Sequence, residues 1–300
     1  MKSQAMTALP VNRTHRPATS VKLAAGTLAF IGYSLEEAVQ GVAAAGYRYV
    51  ELAAIDKYVE HLTDSDMHPA QAEAIRSLLE RCGLETVAFA AHMDLASPGA
   101  TVRFAKRMQF ARDLGCRIVI TNISPPADWI AFMTNLQHLA GLAGDLGLVI
   151  GLENPGNYLP APEVYSDLLA TMKGSPVAVN FDCGNVFNAS FGAIQPLPRL
   201  QPLFPALVNL HIKDTSIVRD RLRSMPIGEG EVDYEAVFQH LAITGLPDLL
   251  TVEMPLGMEF DRQKRAYPPS PPLPWDTIVA ALLRSKEYIL RQLPQDGDHH

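Results

Sequence analysis

The sequence of 300 residues has few cysteines, no long apolar run and no cluster of basic residues. Cys82, Cys116 and Cys183 are widely separated and form no CxxC pair, which argues against a disulfide scaffold or a thiolate zinc site. Reduced thiols in a cytoplasmic protein are therefore expected. No apolar stretch approaches the roughly 18 residues that a membrane helix needs, so the sequence predicts no membrane partner.

Positive charge is also scarce. The chain has 25 basic against 32 acidic residues and a formal net charge of −7. Because no lysine or arginine run could follow a phosphate backbone, nucleic acid is not an expected partner. Residues 1–20 contain basic side chains but no continuous apolar segment, which is unlike a secretory signal. We predict a flexible N-terminal segment over 1–20 and a flexible tail over 293–300.

What the sequence does contain, from residue 21 onward, is an alternation of β-rich runs and helical patterns. Most of the runs are continuously apolar, as expected of parallel strands that are covered on their outer face. Eight such runs occur, over residues 21–27, 47–53, 84–90, 117–122, 148–154, 177–182, 207–214 and 249–255.

The segments between these runs carry helix start and stop signals. Ser34 to Glu37 forms a capping box, and Gly46 stands where that helix would end. Pro69 suits the first turn of a second helix, which Gly83 would follow. Further helical patterns cover 101–114, 127–146, 162–173, 233–244 and 276–292, the last with Asp276 as its predicted N-cap.

Eight β-α units without a break in composition predict the α/β class and a single (β/α)8 TIM-barrel domain over residues 21–292. A doubly wound open sheet is the alternative, but no glycine-rich phosphate loop follows the first strand. A proline-rich connection over 195–205 and a long loop over 256–276 interrupt the alternation. The loop would leave the C-terminal face of the barrel, where a lid, a subunit contact or a passive excursion are all open interpretations.

Four consecutive strands end with one ionisable side chain each. Strand five runs through VIGLENPGN to Glu153, and the next three reach Asp182, His211 and Glu253. Such strand ends form a contiguous arc at one mouth of a barrel, where three carboxylates would repel unless a cation lay among them. Three carboxylates and one imidazole predict one divalent metal, Mn²⁺ first, with Mg²⁺, Co²⁺ or Zn²⁺ as alternatives. A salt-bridged or capping role is the alternative for each residue taken alone.

Five short motifs, GLENPG, NFDCGNV, LHIKD, PIGEGEVDY and TVEMP, occur in an informative order. In that order they resemble the sugar-phosphate isomerase/epimerase superfamily with the xylose-isomerase-like TIM barrel, which includes D-tagatose 3-epimerase, hydroxypyruvate isomerase and inosose dehydratase relatives. The resemblance covers residues 21–290. It implies that Glu153, Asp182, His211 and Glu253 bind one divalent metal, and that Glu153 and Glu253 also serve as the acid/base pair.

The activity implied by the resemblance is that of an isomerase or epimerase. Such an enzyme moves a proton α to a carbonyl of a small sugar or polyol-carbonyl substrate through an enediolate, which a metal ion stabilises. A dehydratase or lyase that loses a β-hydroxyl group on the same barrel is one alternative. A catalytically silent barrel that binds a sugar or a partner subunit is another. Relatives assemble as homodimers or homotetramers, and either assembly is open here.

Three further residues are candidates for substrate binding at the strand ends. Asn185 stands where some relatives place a histidine, and its amide could bind a hydroxyl or carbonyl group but has no proton to exchange. A turn-stabilising role is its alternative. His92 follows the third strand and would either bind substrate or make a structural hydrogen bond. Glu51 ends the second strand and would either contact substrate or pair inside the barrel mouth.

Cationic residues lie near the end of the seventh strand and in the loop after it. Lys213 lies two residues after His211, so both side chains can point to the same side, where Lys213 could fix a carboxylate ligand or touch substrate. Asp214 is expected to stabilise the following loop. Arg223, with the neighbouring arginines 219 and 221, could bind a phosphate or an acidic sugar, or could belong to a solvated face.

Overall fold

The computed structural model describes residues 21–293. The two segments predicted to be flexible, 1–20 and 293–300, lie outside the described residues except for Leu293. In chain order the strands are β1 Lys22–Gly26, β2 Tyr49–Ala53, β3 Glu85–Ala90, β4 Ile118–Asn122, β5 Val149–Glu153, β6 Val177–Asp182, β7 Leu207–Ile212, β8 Asp214–Val218, β9 Arg221–Met225, β10 Leu249–Val252, β11 Glu259–Phe260 and β12 Ala266–Tyr267.

Eight of these strands close into a parallel barrel in the order β1-β10-β7-β6-β5-β4-β3-β2. The closed parallel barrel confirms the predicted (β/α)8 fold. The helices around it are α1 Leu35–Ala44, α2 Pro69–Arg81, α3 Ala100–Leu114, α4 Trp129–Leu146, α5 Pro162–Thr171, α6 Cys183–Ser190, α7 Leu197–Leu200, α8 Tyr234–Thr244 and α9 Trp275–Gln292. The proline-rich connection over 195–205 contains α7 and a 3₁₀ helix, Gln201–Ala206. In the part of the chain that the structure describes, every helix falls short of the length and apolarity needed to span a membrane.

The helix ends follow their sequence signals with one exception. Ser34 and Glu37 form the predicted capping box at α1, and Gly46 adopts a left-handed φ of 74° just after that helix. The prediction of Asp276 as an N-cap is wrong, because α9 begins one residue earlier, at Trp275, after Pro274. The indole Nε1 of Trp275 donates a hydrogen bond to the Glu37 carbonyl 3.1 Å away, so a contact with α1 holds this first turn, and Asp276 lies inside it.

Polar residues precede the predicted metal ligands on three strands of the barrel. A separate small cluster of buried apolar side chains, Ala24, Val87, Ala88, Ile120 and Leu249, belongs to β1, β3, β4 and β10. Buried Asn180, Asn209 and Thr251 follow on neighbouring strands. Since side chains two residues apart along a strand face the same side, Asn180, Asn209 and Thr251 lead directly to Asp182, His211 and Glu253. The predicted ligands on these strands therefore lie together at the C-terminal mouth of the barrel.

Beyond the barrel, four short strands form a second sheet in the order β12-β11-β9-β8. The prediction that strand seven runs through 207–214 is wrong at its end. The barrel strand β7 stops at Ile212, and Asp214 already begins β8, which pairs antiparallel with β9. The long loop over 256–276 supplies β11 and β12, so it is partly ordered as a β-hairpin that pairs with β9.

Asp214 has the loop-stabilising role that was expected. Its carboxylate accepts backbone hydrogen bonds from Gly228 at 2.8 Å, Gly230 at 3.0 Å and Val232 at 3.2 Å. A Cβ atom at Gly230 would lie 2.0 Å from Asp214 Oδ1, so only glycine allows this approach. The loop that leads into α8 is thereby fixed at the same mouth of the barrel.

Candidate metal centre

Four side chains converge at the C-terminal mouth of the barrel. Each of Glu153, Asp182, His211 and Glu253 is buried and offers one donor atom, and the four atoms lie within 4.8 Å of one another. β5, β6, β7 and β10 are neighbours in the barrel, which explains how residues up to 100 positions apart meet. The predicted arc of strand ends is therefore brought together, and this buried cluster could hold a metal ion.

Glu51 contacts the His211 imidazole at the ring nitrogen that faces away from the other three donor residues. Oε2 of Glu51 lies 3.1 Å from Nε2 of His211, while the other ring nitrogen, Nδ1, lies 2.9 Å from Glu153 Oε2 and 3.4 Å from Glu253 Oε2. Asn209 also donates to Glu51 Oε2 at 3.4 Å. A carboxylate on the far nitrogen fixes the tautomer and orientation of a metal-binding histidine. Glu51 thus pairs inside the barrel mouth, one of its two expected roles.

Two asparagine side chains orient the Glu153 carboxylate. Asn180 donates to its Oε2 at 2.6 Å and Asn185 donates to its Oε1 at 3.0 Å. A Cβ atom at Gly156 would lie 2.7 Å from Asn185 Oδ1, so the glycine of the Asn154-Pro155-Gly156 turn makes room for this amide. Both carboxylate oxygens therefore have fixed donors, and the side chain points toward the site.

Asp182 is fixed both through its carboxylate and through its backbone. Its Oδ1 accepts a hydrogen bond from the Asn185 backbone N–H at 2.8 Å and so caps α6. The buried Asn154 side chain bonds both the backbone N–H and the carbonyl of Asp182, each at 2.8 Å. The ends of β5 and β6 are thereby joined, which fixes the spacing between Glu153 and Asp182.

Lys213 brings a positive charge into the cluster. Its Nζ lies 2.8 Å from Asp182 Oδ2 and 2.6 Å from Glu253 Oε2, and it donates to Asn185 Oδ1 at 3.1 Å. A Cβ atom at Gly184 would lie 2.4 Å from the Lys213 carbonyl oxygen, so glycine is needed where α6 approaches this residue. The lysine therefore fixes two of the predicted ligands, as one of its two interpretations expected.

The pKa values reflect this crowding of charges. Burial acts to raise the pKa of Glu253, but the Lys213 ammonium and His211 outweigh it and hold the value well below its usual range. Burial raises the pKa of Asp182 well above its usual range, although Lys213 opposes the shift. Burial disfavours the His211 imidazolium, yet Glu51 and Glu153 outweigh it and raise the His211 pKa. The site thus needs cationic partners for its carboxylates.

The donor atoms fit a divalent cation. Asp182 Oδ2, His211 Nδ1 and Glu253 Oε2 are buried, and despite their close charged neighbours none has a hydrogen bond of acceptable geometry within the described chain. Buried polar atoms normally find such partners. A cation bound between them would satisfy all three at once, and their mixture of oxygen with one imidazole nitrogen suits Mn²⁺, Mg²⁺, Co²⁺ or Zn²⁺.

A cavity of about 340 Å³ opens directly above the cluster. Glu153, Glu253, Lys213, Asn185 and His92 all line it. This volume is near the lower end of the range of small-molecule pockets. The cavity walls also include Ile55, Tyr58, Asn122, Asn188, Thr215, Leu222, Ser224, Phe260 and Lys264.

The remaining predicted site residues divide between the cavity and the surface. His92 follows β3 and lines the cavity, with its Nε2 3.8 Å from Glu153 Oε2. Arg223 lies on β9, where its guanidinium pairs with Glu259 at 2.5 Å and its side chain is 45% exposed. Arg223 is not among the described residues that line the cavity, so the structure does not bring it together with the other candidates.

Sequence reasoning missed the residues that the second sheet contributes. Leu222 and Ser224 come from β9, Phe260 from β11 and Lys264 from the turn before β12. One usable signal was present, because the run from Asp214 to Met225 consists of two short β-prone segments around Arg219-Asp220. The two-residue strands of the 256–276 loop have no comparable pattern.

Comparison with known proteins agrees with this architecture. A family model described as xylose isomerase-like TIM barrel matches residues 39–272. No curated protein matches the sequence.

Among solved structures, a xylose isomerase domain protein from Planctomyces limnophilus is similar with a TM-score of 0.66 and 17% identity, covering 93% of this chain and 98% of that one. The D-allulose 3-epimerase from Methylomonas sp., solved with D-allulose, has a TM-score of 0.65 and 18% identity over 91% of this chain and 97% of that one. The probable 3-DHS dehydratase AsbF from Bacillus anthracis has a TM-score of 0.60 and 15% identity over 78% and 92%. At identities of 15% to 18%, these similarities are evidence for a shared fold.

Proposed function

This chain belongs to the xylose isomerase-like TIM barrel family, and from that premise we propose that it is a divalent-metal-dependent sugar isomerase or epimerase. Residues 21–292 would act as one catalytic domain on a small polyhydroxylated carbonyl compound. The reaction would move a proton α to the carbonyl group. The observation that carries the proposal is that Glu153 and Glu253 both line the cavity and both belong to the four-donor cluster.

Glu153, Asp182, His211 and Glu253 would hold the metal, with Mn²⁺ as the expected ion. When bound, the ion would supply positive charge beside the enediolate that proton removal creates on the substrate. Similarity to the D-allulose 3-epimerase, which was solved with its sugar, supports the choice of a sugar-like substrate.

Glu153 is suited to remove or return a proton. The amides of Asn180 and Asn185 donate to its two oxygens and hold the carboxylate in one orientation at the cavity wall. Fixed orientation matters because a general base must lie within hydrogen-bond reach of the proton it takes. His92 and Asn185, which line the same cavity, would orient the substrate hydroxyl groups.

Glu253 would be the second proton-transfer group. Lys213 and His211 keep its pKa low, so it is a carboxylate and begins as a base. β5 and β10 are separated in the barrel by β6 and β7, so Glu153 and Glu253 approach the cavity from different sides. A base on each side of a bound sugar would permit epimerisation, and one base shuttling a proton between neighbouring carbons would give isomerisation.

Dehydration is a second candidate function, favoured by the position of Lys213. Its ammonium group lies at the cavity wall, 2.6 Å from Glu253, where it could protonate a leaving hydroxyl group after a carboxylate removes the α-proton. The structural similarity to the probable 3-DHS dehydratase supports dehydration as the second candidate reaction. The same residues would then serve as a lyase.

Incubation with a panel of ketoses and inososes in D₂O with Mn²⁺ tests both reactions. Isomerase or epimerase activity predicts deuterium on an α-carbon of a product with unchanged composition, whereas dehydratase activity predicts a product lighter by one water. Failure of every substrate to take up deuterium or lose water, together with purified protein that binds no divalent ion, would contradict the proposal. It would favour a silent sugar-binding barrel.

We also propose a cytoplasmic location and a homo-oligomeric assembly. The three cysteines are all free thiols, of which Cys116 and Cys183 are buried, as expected in a reducing compartment. The dimer or tetramer remains a prediction from the resemblance, and size-exclusion chromatography with light scattering would determine it.

A further inference from the structure

The outer wall of the cavity carries a lysine ammonium group that pairs with no carboxylate in the described part of the chain. Lys264 lies in the turn between β11 and β12, adopts a left-handed φ of 61° and lines the cavity. Within residues 21–293 no carboxylate lies at ion-pair distance from its ammonium group, and partial burial lowers its pKa. An ammonium without a counter-charge at a cavity wall is a candidate binding group for an anion.

Two carboxylates in the turns of the same sheet are already engaged by arginines. Asp261 pairs with Arg265 at 2.6 Å, and Asp220 pairs with Arg262 at 2.7 Å. Lys264 instead donates a hydrogen bond to the backbone carbonyl of Asn188, on α6. The turn therefore directs Lys264, and not its neighbouring arginines, to the cavity.

Two buried polar atoms at the wall of the same cavity also lack a hydrogen-bond partner among the described residues. Ser224 Oγ and Asn188 Oδ1 have no hydrogen bond within the described chain, although the residues are only 6% and 7% exposed. Both residues line the cavity. Because buried polar atoms in folded proteins are normally hydrogen-bonded, these two point to a ligand or to water that the ligand would replace.

These groups lie about one helical turn from the proton-transfer site. Asn185, which donates to Glu153, and Asn188, which contacts Lys264, are three residues apart on α6, a rise of about 4.5 Å along the helix. A molecule that places its reacting carbons beside Glu153 could therefore extend to Lys264 over a few bonds. Apolar Leu222 and Phe260 line the same part of the cavity wall as Ser224 and Lys264 and would strengthen a charge interaction there.

We propose that Lys264 and Ser224 form an anion subsite that binds a carboxylate or phosphate group of the substrate, at the end remote from the reacting carbons. Asn188 Oδ1 would accept a hydrogen bond from a hydroxyl group next to that anion. The inference rests on the proposed function and narrows its substrate class to anionic polyhydroxylated carbonyl compounds. The arginine predicted for such a group, Arg223, lies on the outside of the same sheet, paired with Glu259.

Three probes that differ only at the sixth carbon test this subsite. They are D-fructose, D-fructuronate and D-fructose 6-phosphate, which carry a hydroxyl, a carboxylate and a phosphate group there. Titration calorimetry of the Mn²⁺-supplemented protein should show at least one anion binding about tenfold tighter than D-fructose. Tighter binding of the carboxylate or of the phosphate identifies which group the subsite prefers.

Substitutions of two cationic residues in the turn between β11 and β12 test whether Lys264 causes the preference for the anion. Lys264→Met should remove the preference for the anion, and Lys264→Arg should retain most of it. Arg262→Met removes the same charge from the same turn, at a side chain 58% exposed and paired with Asp220, and should leave the preference unchanged. Thermal unfolding of each variant verifies that the hairpin change leaves the barrel folded.

The outcomes separate the subsite from the proposed reaction. Failure of both anions to bind more tightly than D-fructose, or a preference that Lys264→Met does not reduce, overturns the anion subsite. Deuterium uptake from D₂O is measured on the same three compounds. A Lys264-dependent preference without deuterium uptake supports the subsite and contradicts proton transfer on these three compounds. Deuterium uptake without a preference for either anion supports the proton-transfer function and overturns the subsite.

Discussion

Oε2 of Glu51 lies 3.1 Å from Nε2 of His211, on the far side of the imidazole ring from Glu153 and Glu253. The pair is completely buried, and Asn209 and Thr251 continue the hydrogen-bond chain beneath it. With Nε2 engaged by Glu51, the other ring nitrogen, Nδ1, is left to face the cluster of donor atoms. Glu51 therefore acts on the candidate metal centre through His211.

The first prediction follows from that contact. Glu51→Gln weakens the acceptor behind His211, so we expect the affinity for Mn²⁺ to fall by about 10- to 100-fold, the usual effect of losing such a partner. Thr251→Val removes a hydroxyl further along the same chain and should change the affinity by less than about threefold. Electron paramagnetic resonance of free Mn²⁺ measures both. Wild-type affinity in Glu51→Gln would contradict the role assigned to Glu51.

A second prediction concerns Asn185, which donates to Glu153 and accepts from Lys213. Asn185→Ala leaves the Glu153 carboxylate with one fixed donor, Asn180. Since a hydrogen bond to a charged group contributes about 1.5–3 kcal/mol, kcat should fall by about 10- to 100-fold. Asn135→Ala removes an amide whose side-chain hydrogen bond within residues 21–293 goes to the Leu95 carbonyl, and it should leave kcat unchanged. Steady-state kinetics on whichever substrate takes up deuterium measures this, and an unaltered kcat in Asn185→Ala would contradict it.

The third prediction concerns the stability of the loops that carry His92. Arg107 of α3 is 2% exposed, and its Nη1 donates to the carbonyls of Ala54, Ala91 and His92 at 2.9 to 3.3 Å. Arg107→Met removes this donor from the carbonyls of Ala54 and Ala91 and leaves the His92 carbonyl with the backbone N–H of Asp56 alone, so the free energy of unfolding should fall by about 2–4 kcal/mol. Chemical denaturation measures this change.

Arg103 is the matched control for that experiment. It lies one turn earlier on α3, and both Arg103 and Arg107 form ion pairs with Asp56 and Asp64, but the Arg103 side chain is 43% exposed. Because exposed ion pairs contribute about 0–1 kcal/mol, Arg103→Met should have little effect. Equal destabilisation by the two variants would show that the buried carbonyl contacts of Arg107 are unimportant.

The fourth prediction links metal binding to folding. Mn²⁺ at about 100 times its Kd should stabilise the protein by about 2.7 kcal/mol, because the four donors meet only in the folded barrel. Differential scanning fluorimetry should show a rise in Tm of about 5 °C that EDTA reverses. His211→Leu should abolish the rise. A rise that survives this substitution would place the bound ion elsewhere on the chain.

The barrel and the convergence of the four donor residues were predictable from the sequence because each depends on local signals. The continuous apolar runs and the helix caps identify the β-α units, and parallel closure forces the ends of β5, β6, β7 and β10 to one mouth. Glu153, Asp182, His211 and Glu253 follow from that geometry without any knowledge of their contacts. The two interpretations of Glu51 could be separated only by the partner that it finds, His211.

The second sheet was not predictable, because long-range pairing determines it. Glu259–Phe260 and Ala266–Tyr267 are strands of two residues, too short for a hydrophobic period, and they form against β9. Arg223 and Lys264 illustrate the consequence. The arginine run suggested an anion-binding loop, yet Arg223 pairs with Glu259 while Lys264, from a loop without a pattern, lines the cavity.

In the proposed mechanism, Glu153 and Glu253 move the proton while sharing a bound metal with Asp182 and His211. Deuterium uptake from D₂O, together with bound Mn²⁺ measured by plasma mass spectrometry, tests these roles in Glu153→Gln and Glu253→Gln. We expect each variant to retain Mn²⁺ at least in part and to lose uptake by 100-fold or more, about 2.7 kcal/mol in barrier height. Glu229→Gln, a surface carboxylate paired with Arg284, serves as the control and should exchange as the wild type does. Uptake at the wild-type rate in either cavity variant would show that the substituted glutamate does not transfer the proton.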